Sequence, residues 1–229
     1  MGNYTLVQAL DRIVESNFSS VASELTSTIK LPPDPPSLVG VVQKLIEQDC
    51  YVPDDTYVHD NGYLKLTLAT SDKSGAKLRI HLWPADTKKG NIHSHRWNLH
   101  SHVLFGRIRN QVFTEDSGGE TYNAYEYSPD PELELYRLKE LGQTQLVNTQ
   151  DYELAVGTNY QLQRNVLHRT QAARSAPAAT LMITFDAHPL NFTKVFSESK
   201  LIATGSVEVK RSSKPQLFSF LEQFYELVR

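Results

Sequence analysis

The sequence of 229 residues contains a single cysteine, Cys50, so an internal disulfide bond is excluded. A zinc site built from several thiolates is excluded for the same reason. Any metal in this protein must therefore be held by histidine and by oxygen ligands. So few cysteines are typical of proteins from a reducing compartment, and we expect a cytoplasmic location.

Long apolar runs and long basic runs are also missing. No apolar stretch approaches the roughly 18 residues of a membrane span, and Met1–Leu10 lacks the cationic and apolar regions of a secretory signal. The formal net charge is -3 at pH 7 and no basic cluster is present. Because nucleic-acid binders present basic patches, we expect neither a nucleic-acid nor a membrane partner.

Helical periodicity is confined to the two ends of the chain. Apolar residues recur at helical spacing over residues 1–30, and the proline-rich stretch 31–36 ends that segment. A second helix is predicted to start near Pro36–Ser37, and residues 215–229 again show one apolar helical face.

Between residues 51 and 196 the pattern changes to short segments with a period of two, which indicates strands. The predicted strands cover residues 63–68, 77–83, 103–113, 120–127 and 178–185. Hairpin turns are predicted at Lys73–Gly75 and Ser117–Gly119, and the segment Tyr127–Gln150 is interpreted as a lid or a loop excursion. Many short strands without interleaved helices favour a sandwich or a closed barrel.

Histidines supply the strongest functional signal. His93 and His95 are separated by one residue, so on a strand both imidazoles point the same way. His168, on a later predicted strand, can supply a third imidazole. Neutral imidazole binds borderline transition metals well, and three protein ligands leave coordination positions open for a substrate. We therefore predict a metal site at His93, His95 and His168.

Two more histidines follow the pair, at positions 100 and 102. His100 is interpreted in three ways: as a fourth ligand, as a hydrogen-bonding neighbour of the ligands, or as a rim residue. Uninterrupted alternation from His95 points His100 to the other face, but a bend between them would change that parity. His102 is interpreted as structural.

The run Gly90–Gly106 resembles the first motif of the cupin superfamily, which has a Gly, a His-x-His, usually a Glu, and an apolar stretch ending in Gly. Gly157 and the later Val166–His168 resemble the second motif. The resemblance implies a jelly-roll barrel that carries the metal on the three histidines named above. The usual Glu position falls at or beside His100, so the commonest fourth cupin ligand is missing.

Residues 36–190 are also similar, more diffusely, to the cysteine-dioxygenase-type thiol dioxygenases within the cupins. Those proteins have an N-terminal helical segment and a three-histidine iron site without the Glu. The stretch Val166–Leu181 looks like their second motif, and Tyr63-Leu-Lys65 stands where they have a Tyr-x-Arg that binds the substrate carboxylate. This resemblance implies ferrous iron and oxygen chemistry.

The sequence departs from that family at catalytic positions. The cysteine that is cross-linked to a tyrosine has no counterpart, because His100 or Ser101 stands there. The family's active-site His and Tyr fall near Ile183 and Phe185, and neither side chain can replace them. Lys65 keeps a cation but lacks the planar fork that suits a carboxylate. Cysteine itself is therefore a doubtful substrate.

Cationic and aromatic residues could complete an anion pocket beside the metal. Arg79 and Arg164 each share a strand face with a histidine, so either could point inward, and either could equally be solvated or paired outside. Trp97 shares the face of the His-x-His pair and is expected to wall the pocket. We predict Lys65, Arg79, Trp97 and Arg164 as substrate-binding residues, with Lys65 and His100 as catalytic residues.

The sequence as a whole predicts a mainly β protein, a cupin jelly-roll barrel with two N-terminal helices packed against it and a C-terminal helix closing the other side. Residues 1–50 are assigned to the helical segment, 51–198 to the barrel with the metal site, and 199–229 to a C-terminal strand and helix, all in one globular unit. Unpaired edge strands of a barrel can pair with a second copy of the chain, so a homodimer is kept as an open alternative.

The expected function is that of a mononuclear non-heme iron dioxygenase, with Fe(II) and O2, acting on a small polar, amino-acid- or thiol-like molecule. One alternative is a non-redox metal cupin, an isomerase, lyase or hydrolase that uses Zn, Mn or Ni as a Lewis acid. A four-histidine site that includes His100 favours this alternative, since it leaves less room for O2 and substrate together. The other alternative is a metal-dependent small-molecule binding or sensor module.

Overall fold

The computed structural model describes residues 7, 10, 30–59, 61–85, 89–130, 135–173, 176–187, 192–201, 206–208 and 211–229. The helix predicted over residues 1–30 lies, apart from Val7 and Leu10, outside the described residues. The described helices are α1 (Pro35–Glu47), α2 (Lys214–Val228) and a single 3-10 turn (Pro53–Asp55). The described strands are β1 (Tyr57–Val58), β2 (Leu64–Thr70), β3 (Lys77–Trp83), β4 (Ile92–His93), β5 (Asn98–Phe105), β6 (Arg107–Asp130), β7 (Leu135–Ala155), β8 (Asn159–Leu162), β9 (Leu167–Ala172), β10 (Ala178–Phe185), β11 (Thr193–Ser197) and β12 (Ser206–Glu208).

Both helices begin at capping residues that the sequence provides. Asp34 caps α1, where its carboxylate accepts a 2.9 Å hydrogen bond from the backbone N–H of Ser37. Ser213 and Gln216 form a capping box at the start of α2. Both predicted helices are thereby confirmed. Within the described residues, no helix combines the length and the apolar character that crossing a bilayer requires.

The strands form two six-stranded sheets: sheet A in the order β1-β2-β3-β10-β5-β8 and sheet B in the order β11-β4-β9-β6-β7-β12. If the eight strands from β3 to β10 are numbered one to eight, sheet A contains the series 1-8-3-6 and sheet B the series 2-7-4-5. This alternation between two antiparallel sheets is the order of a jelly roll. The predicted fold class, a mainly β jelly roll, is confirmed.

One predicted turn is correct and the other is wrong. Residues 71–76 join β2 to β3, and Gly75 has the positive φ of 68° that this turn requires. Ser117–Gly119, in contrast, lies inside β6 in a bulge formed by residues 116–119, because Glu115 and Glu120 both face Leu146 on β7. Glycine and serine favour a bulge as readily as a turn, so composition alone did not separate the two.

The interpretation of Tyr127–Gln150 as a lid or loop excursion is also wrong. Residues 127–130 continue β6, and residues 135–150 belong to β7, with which β6 pairs as far as Asp130 opposite Leu135. The segment is therefore one long hairpin of sheet B. Alternation in this segment is broken by register shifts, which is why period-two analysis did not find it.

The largest apolar core lies between the helices and one face of sheet A. It contains the alternate leucines and isoleucines of β2, β3 and β10 together with Leu38, Val42 and Ile46 of α1 and Leu217, Leu221 and Phe224 of α2. Both described helices therefore cover the same face of sheet A, and the prediction that the C-terminal helix closes the other side is wrong. The opposite face of sheet A looks toward sheet B, and this interior contains the candidate site.

Candidate metal centre

Three histidines meet on the inner face of sheet B. His93 on β4 lies directly opposite His168 on β9 in the antiparallel ladder, so both side chains project from one face. His95 follows two residues later and joins them. The Nε2 atoms of His95 and His168 are 2.8 Å apart. One ligand atom from each histidine lies within 4.8 Å of the other two.

The neighbours of these histidines show which way the imidazoles point. Ile92 and Leu167 belong to an apolar cluster on the opposite face of sheet B, so His93 and His168 must face inward. The chain beyond β4 is fixed by backbone hydrogen bonds, one of which runs from the His95 N–H to the Arg164 carbonyl at 2.7 Å. His168 is buried, whereas His93 and His95 are only partly buried, which leaves the cluster an opening.

Hydrogen bonds to acceptors set the tautomers of two of the imidazoles. Nδ1 of His93 lies 3.0 Å from the Asn91 carbonyl oxygen, and Nδ1 of His168 lies 3.0 Å from Oδ1 of Asn110. Both partners can only accept, so Nδ1 carries the proton in each ring and the Nε2 lone pair is directed elsewhere. For His168 that lone pair is directed at His95.

Asn110 is a candidate site residue that the sequence analysis missed. It is fully buried on β6, and its amide nitrogen donates a 2.7 Å hydrogen bond to the Tyr152 hydroxyl, which fixes its oxygen toward His168. The Thr170 hydroxyl also donates to that oxygen, at 2.9 Å. Such partners of ligating histidines orient the ring and raise its basicity. Asn110 shares its strand face with Ile108 and Val112, and an asparagine on an apolar strand face was the signal available in the sequence.

The electrostatic environment keeps the three imidazoles neutral. Burial lowers the pKa of all three, and the pKa values of His95 and His168 fall well below the ordinary histidine value. The other members of the cluster lower the pKa of His95 further, as do Arg79 and His81. Neutral imidazole is the form that binds a metal, so this environment favours coordination over protonation.

The donor set fits a borderline transition metal. Two neutral imidazoles with Nε2 atoms 2.8 Å apart must share either a proton or a cation, since their lone pairs otherwise repel. Three imidazole nitrogens suit Fe(II), Zn, Ni or Mn, and they leave further coordination positions open. The three histidines could therefore hold one metal ion.

His100 does not join this cluster, so its interpretation as a fourth ligand and its prediction as a catalytic residue are wrong. Along β5 the residues Leu99, Ser101 and Val103 are buried, and His100 projects from the opposite face. Its ring lies 4.9 Å from that of Phe185, a residue that packs on the helical side of sheet A. The face parity of a regular strand governs His100 here, and no bend intervenes within β5 to reverse it.

Arg164 is likewise placed outside the centre. Its guanidinium pairs with the exposed carboxylate of Asp186 at 3.2 Å, and only its backbone carbonyl serves the site, through His95. Arg164 lies outside β8 and β9, in the connection between them, so strand parity with His168 did not apply. The prediction of an inward-pointing guanidinium is wrong.

Trp97 and Arg79, in contrast, are brought to the histidines. The Trp97 ring stacks beside His95 with centroids 5.7 Å apart. Arg79 lies on the inner face of β3, and its guanidinium carbon is 5.3 Å from the centre of the Trp97 ring. These two residues lie beside the cluster in the interior between the two sheets, which we call the chamber, and their role in substrate binding stays a prediction.

Lys65 belongs to a charged cluster at the end of this chamber. Asp55 accepts from Lys65 at 2.6 Å, from Lys77 at 2.9 Å and from Arg79 at 3.0 Å. Burial opposes ionisation of Asp55, but the three cations outweigh it and hold the pKa of this carboxyl well below its ordinary value. Burial, together with Arg79, lowers the pKa of Lys65 to about 7. Lys77 and Arg79 outnumber the single carboxylate, and Lys65 adds positive charge in its protonated form, which makes this end of the chamber attractive to an anion.

A surface groove lies elsewhere on the molecule. It encloses about 560 Å³ at the bulge of β6 and is lined by Glu115, Asp116 and polar residues of β6 and β7. No histidine lines it, and it is open to solvent. The convergent, buried donors at the three histidines are the better candidate for chemistry.

No protein-family model matches the chain, and no curated protein matches it. Several solved structures align with part of it. The hydroxypropylphosphonic acid epoxidase from S. wedmorenis aligns at 16% identity and a TM-score of 0.37, over 58% of this chain and 57% of the epoxidase. The cupin domain of Cnp3 from Schizosaccharomyces pombe aligns at 9% identity and a TM-score of 0.36, over 61% of this chain and 70% of that domain.

A structure of the DMSP lyases RdDddP and RnDddQII aligns at 14% identity and a TM-score of 0.35, over 57% of this chain and 51% of that chain. This chain therefore spans little more than half the length of the epoxidase and of the lyase. Cupin-fold proteins are thus among the solved structures it resembles. Identities and TM-scores this low transfer no activity, substrate or metal to this chain.

Proposed function

We propose that this protein is a metal-dependent enzyme of the cupin type, and that it acts as a mononuclear non-heme iron dioxygenase on a small polar, amino-acid- or thiol-like molecule. His93, His95 and His168 would hold the iron. The observation that carries the proposal is the convergence of three neutral imidazoles, each from a backbone position fixed by the sheet or by its flanking hydrogen bonds. The diffuse likeness of the sequence to thiol dioxygenases supports the same reading.

The number of protein ligands favours dioxygenase chemistry over the non-redox alternative. A fourth imidazole would restrict the space for two exogenous ligands, and His100 projects from the other face of its sheet. With three protein ligands, a substrate heteroatom and O2 both have positions. Ferrous iron, when bound, supplies the one-electron chemistry that O2 needs in order to react. Zn, Ni and Mn are the alternative metals for the same ligands.

The remaining residues of the chamber hold and orient the substrate in this proposal. Trp97 covers the His95 side and excludes water from it. Lys65 and Arg79 place positive charge at the far end of the chamber, and Asp55 neutralises part of that charge. An acidic group on the substrate would bind at that end, which leaves the opposite end of the molecule near the histidines.

Oxygen uptake tests the proposal. The protein is reconstituted with ferrous iron under anaerobic conditions and exposed to oxygen with a panel of small thiols and amino acids. Substrate-triggered uptake by wild-type protein, abolished in His168→Ala, is the expected result. Product formation that runs unchanged without oxygen would identify a non-redox isomerase, lyase or hydrolase instead. Ligand binding with no product at all would identify a binding or sensor module.

A further inference from the structure

His81 is a buried polar residue whose polar atoms have no structural role among the described residues. It lies on β3 with 5% of its surface exposed, and within the part of the chain that the structure describes neither ring nitrogen has a hydrogen-bond partner. Its ring contacts are aromatic: Tyr63 at 5.3 Å and Trp83 at 5.8 Å between centroids. A phenylalanine would make those contacts without burying two polar atoms.

The position of His81 relates it to the histidine cluster. Leu78, Ile80 and Leu82 of β3 pack against the helices, so the alternate residues Arg79 and His81 face sheet B. The Arg79 guanidinium lies 5.3 Å from the centre of the Trp97 ring, which stacks beside His95, so this face of β3 looks toward the cluster. His81 is thus part of the interior in front of the cluster, although it is absent from the group of three ligands.

Two further buried donors accompany His81. Nε of Arg79 and Nε1 of Trp97 also have no hydrogen-bond partner among the described residues. Nη2 of Arg79 donates to Asp55, whereas Nε is a buried donor with no partner among the described residues. Buried polar groups are almost always paired, and three unpaired side chains along one chamber wall are therefore a sign of a ligand.

We propose that His81 is a substrate-contacting residue that, with Arg79 and Trp97, selects a small oxyanion which also carries one hydrogen-bond donor. Arg79 Nε–H, Trp97 Nε1–H and one N–H of a neutral His81 are donors, and the second nitrogen of His81 is an acceptor. Three donors suit an anionic oxygen group, and the single acceptor suits a hydroxyl or amino group beside it. The class is that of small hydroxy or amino acids. This inference rests on the proposed metal site.

Cobalt-loaded protein gives a test that does not depend on turnover. Glycolate, which has a carboxylate and a hydroxyl, is titrated against the visible absorption of the Co(II) form, with acetate as the probe that lacks the donor. His81→Phe is expected to bind cobalt with wild-type stoichiometry and to weaken glycolate by about tenfold or more, with a smaller effect on acetate. His81→Gln, which keeps a donor and an acceptor, is expected to recover part of the affinity.

Thermal unfolding of the metal-free proteins separates this role from a structural one. A ligand-contacting His81 has no partner to lose within the protein, so His81→Phe is expected to melt at the same temperature as wild type or higher. His102→Phe is the matched control: His102 bonds to Asn159 on the outer face of β5, and its replacement is expected to leave glycolate affinity unchanged.

The outcomes are distinguishable. Wild-type protein that takes up no stoichiometric cobalt overturns the metal site and this inference with it. Cobalt uptake without glycolate binding by wild type, or unchanged glycolate affinity in His81→Phe, overturns the inference alone. Failure of His81→Phe to fold, or a clear fall in its melting temperature, assigns His81 a structural role and also overturns it.

Discussion

His95 and His168 are 73 residues apart in the chain, yet their Nε2 atoms lie 2.8 Å from each other inside the barrel. The contact is produced by the jelly roll, which brings β4 and β9 together as neighbours in sheet B. His93, paired with His168 across that ladder, completes the group. The proposed activity depends on this contact and on the residues that hold the imidazoles in place.

Replacement of a ligand should remove the metal. His168→Ala deletes the most buried of the three imidazoles, and we expect metal affinity to fall below detection and oxygen uptake to stop. Elemental analysis of the dialysed variant measures this. His100→Ala is the control, because His100 projects from the outer face of β5 and should keep its full metal content. Retention of stoichiometric metal by His168→Ala would show that the ligands lie elsewhere.

Asn110 should tune the metal through His168. Asn110→Leu removes the acceptor for His168 Nδ1 and the donor to Tyr152, so the imidazole loses its fixed orientation. We expect metal affinity to fall by about 10- to 100-fold. The free energy of unfolding of the metal-free protein should fall by about 1–3 kcal/mol, because polar groups are left buried without partners. Competitive titration with a chelator and urea unfolding measure the two effects.

A matched asparagine provides the control for that variant. Asn159 bonds to His102 near the surface, away from the cluster, and Asn159→Leu should leave metal affinity at the wild-type value. Equal losses of metal affinity in both variants would mean that asparagine at position 110 acts only through general stability.

Asp55 should be the electrostatic support of the charged end of the chamber. Asp55→Asn leaves Lys65, Lys77 and Arg79 close together without a counter-charge. We expect the free energy of unfolding at pH 7 to fall by about 3 kcal/mol, since removal of one partner from a largely buried ion cluster is strongly destabilising. Denaturant titration of both proteins measures the difference.

The pH dependence of that difference has a definite sign. The pKa of Asp55 is depressed in the folded protein, so its contribution is present above the ordinary carboxyl pKa of 3.8 and is lost as the pH falls below it. The stability gap between wild type and Asp55→Asn should therefore shrink between pH 4 and pH 2. A gap that stays constant or widens over this range would show that the carboxylate is not stabilised by the cations.

Gly106 should be irreplaceable where β5 turns into β6. Its φ is 71°, and a Cβ placed there would lie 2.3 Å from the carbonyl oxygen of Pro177. Gly106→Ala should therefore destabilise by several kcal/mol or prevent folding, because backbone on both sides must move. Gly142→Ala is the comparison: φ is 98°, but the space around it is open, so the cost should be limited to about 1–2 kcal/mol of backbone strain. Similar melting temperatures for both variants would contradict this account.

Those features of the fold with a regular period were predictable from the sequence. The bounds of β3, which alternates, and of β10, which is a nearly continuous apolar run, match the predicted segments residue for residue. The proximity of His93, His95 and His168 also agrees with the sequence, although the strand ends at His93 and His95 lies just beyond it. Trp97 and Arg79 lie near His95 in the structure, and their role in binding stays a prediction.

Other features depend on tertiary contacts that local pattern does not contain. The long hairpin of β6 and β7 is interrupted by bulges, and each bulge reverses the parity on which strand prediction relies. Arg164 lies in the connection between β8 and β9, where parity has no meaning. Asn110 could be found only through its partners, since its function is to hold an imidazole that arrives from another strand.

The most direct test of the account is the metal content of the freshly purified protein, measured by elemental analysis against protein concentration before and after anaerobic addition of ferrous iron. We predict close to one transition-metal ion per chain, with iron retained through dialysis. A chain that holds no stoichiometric metal in either state would contradict the metal centre at His93, His95 and His168.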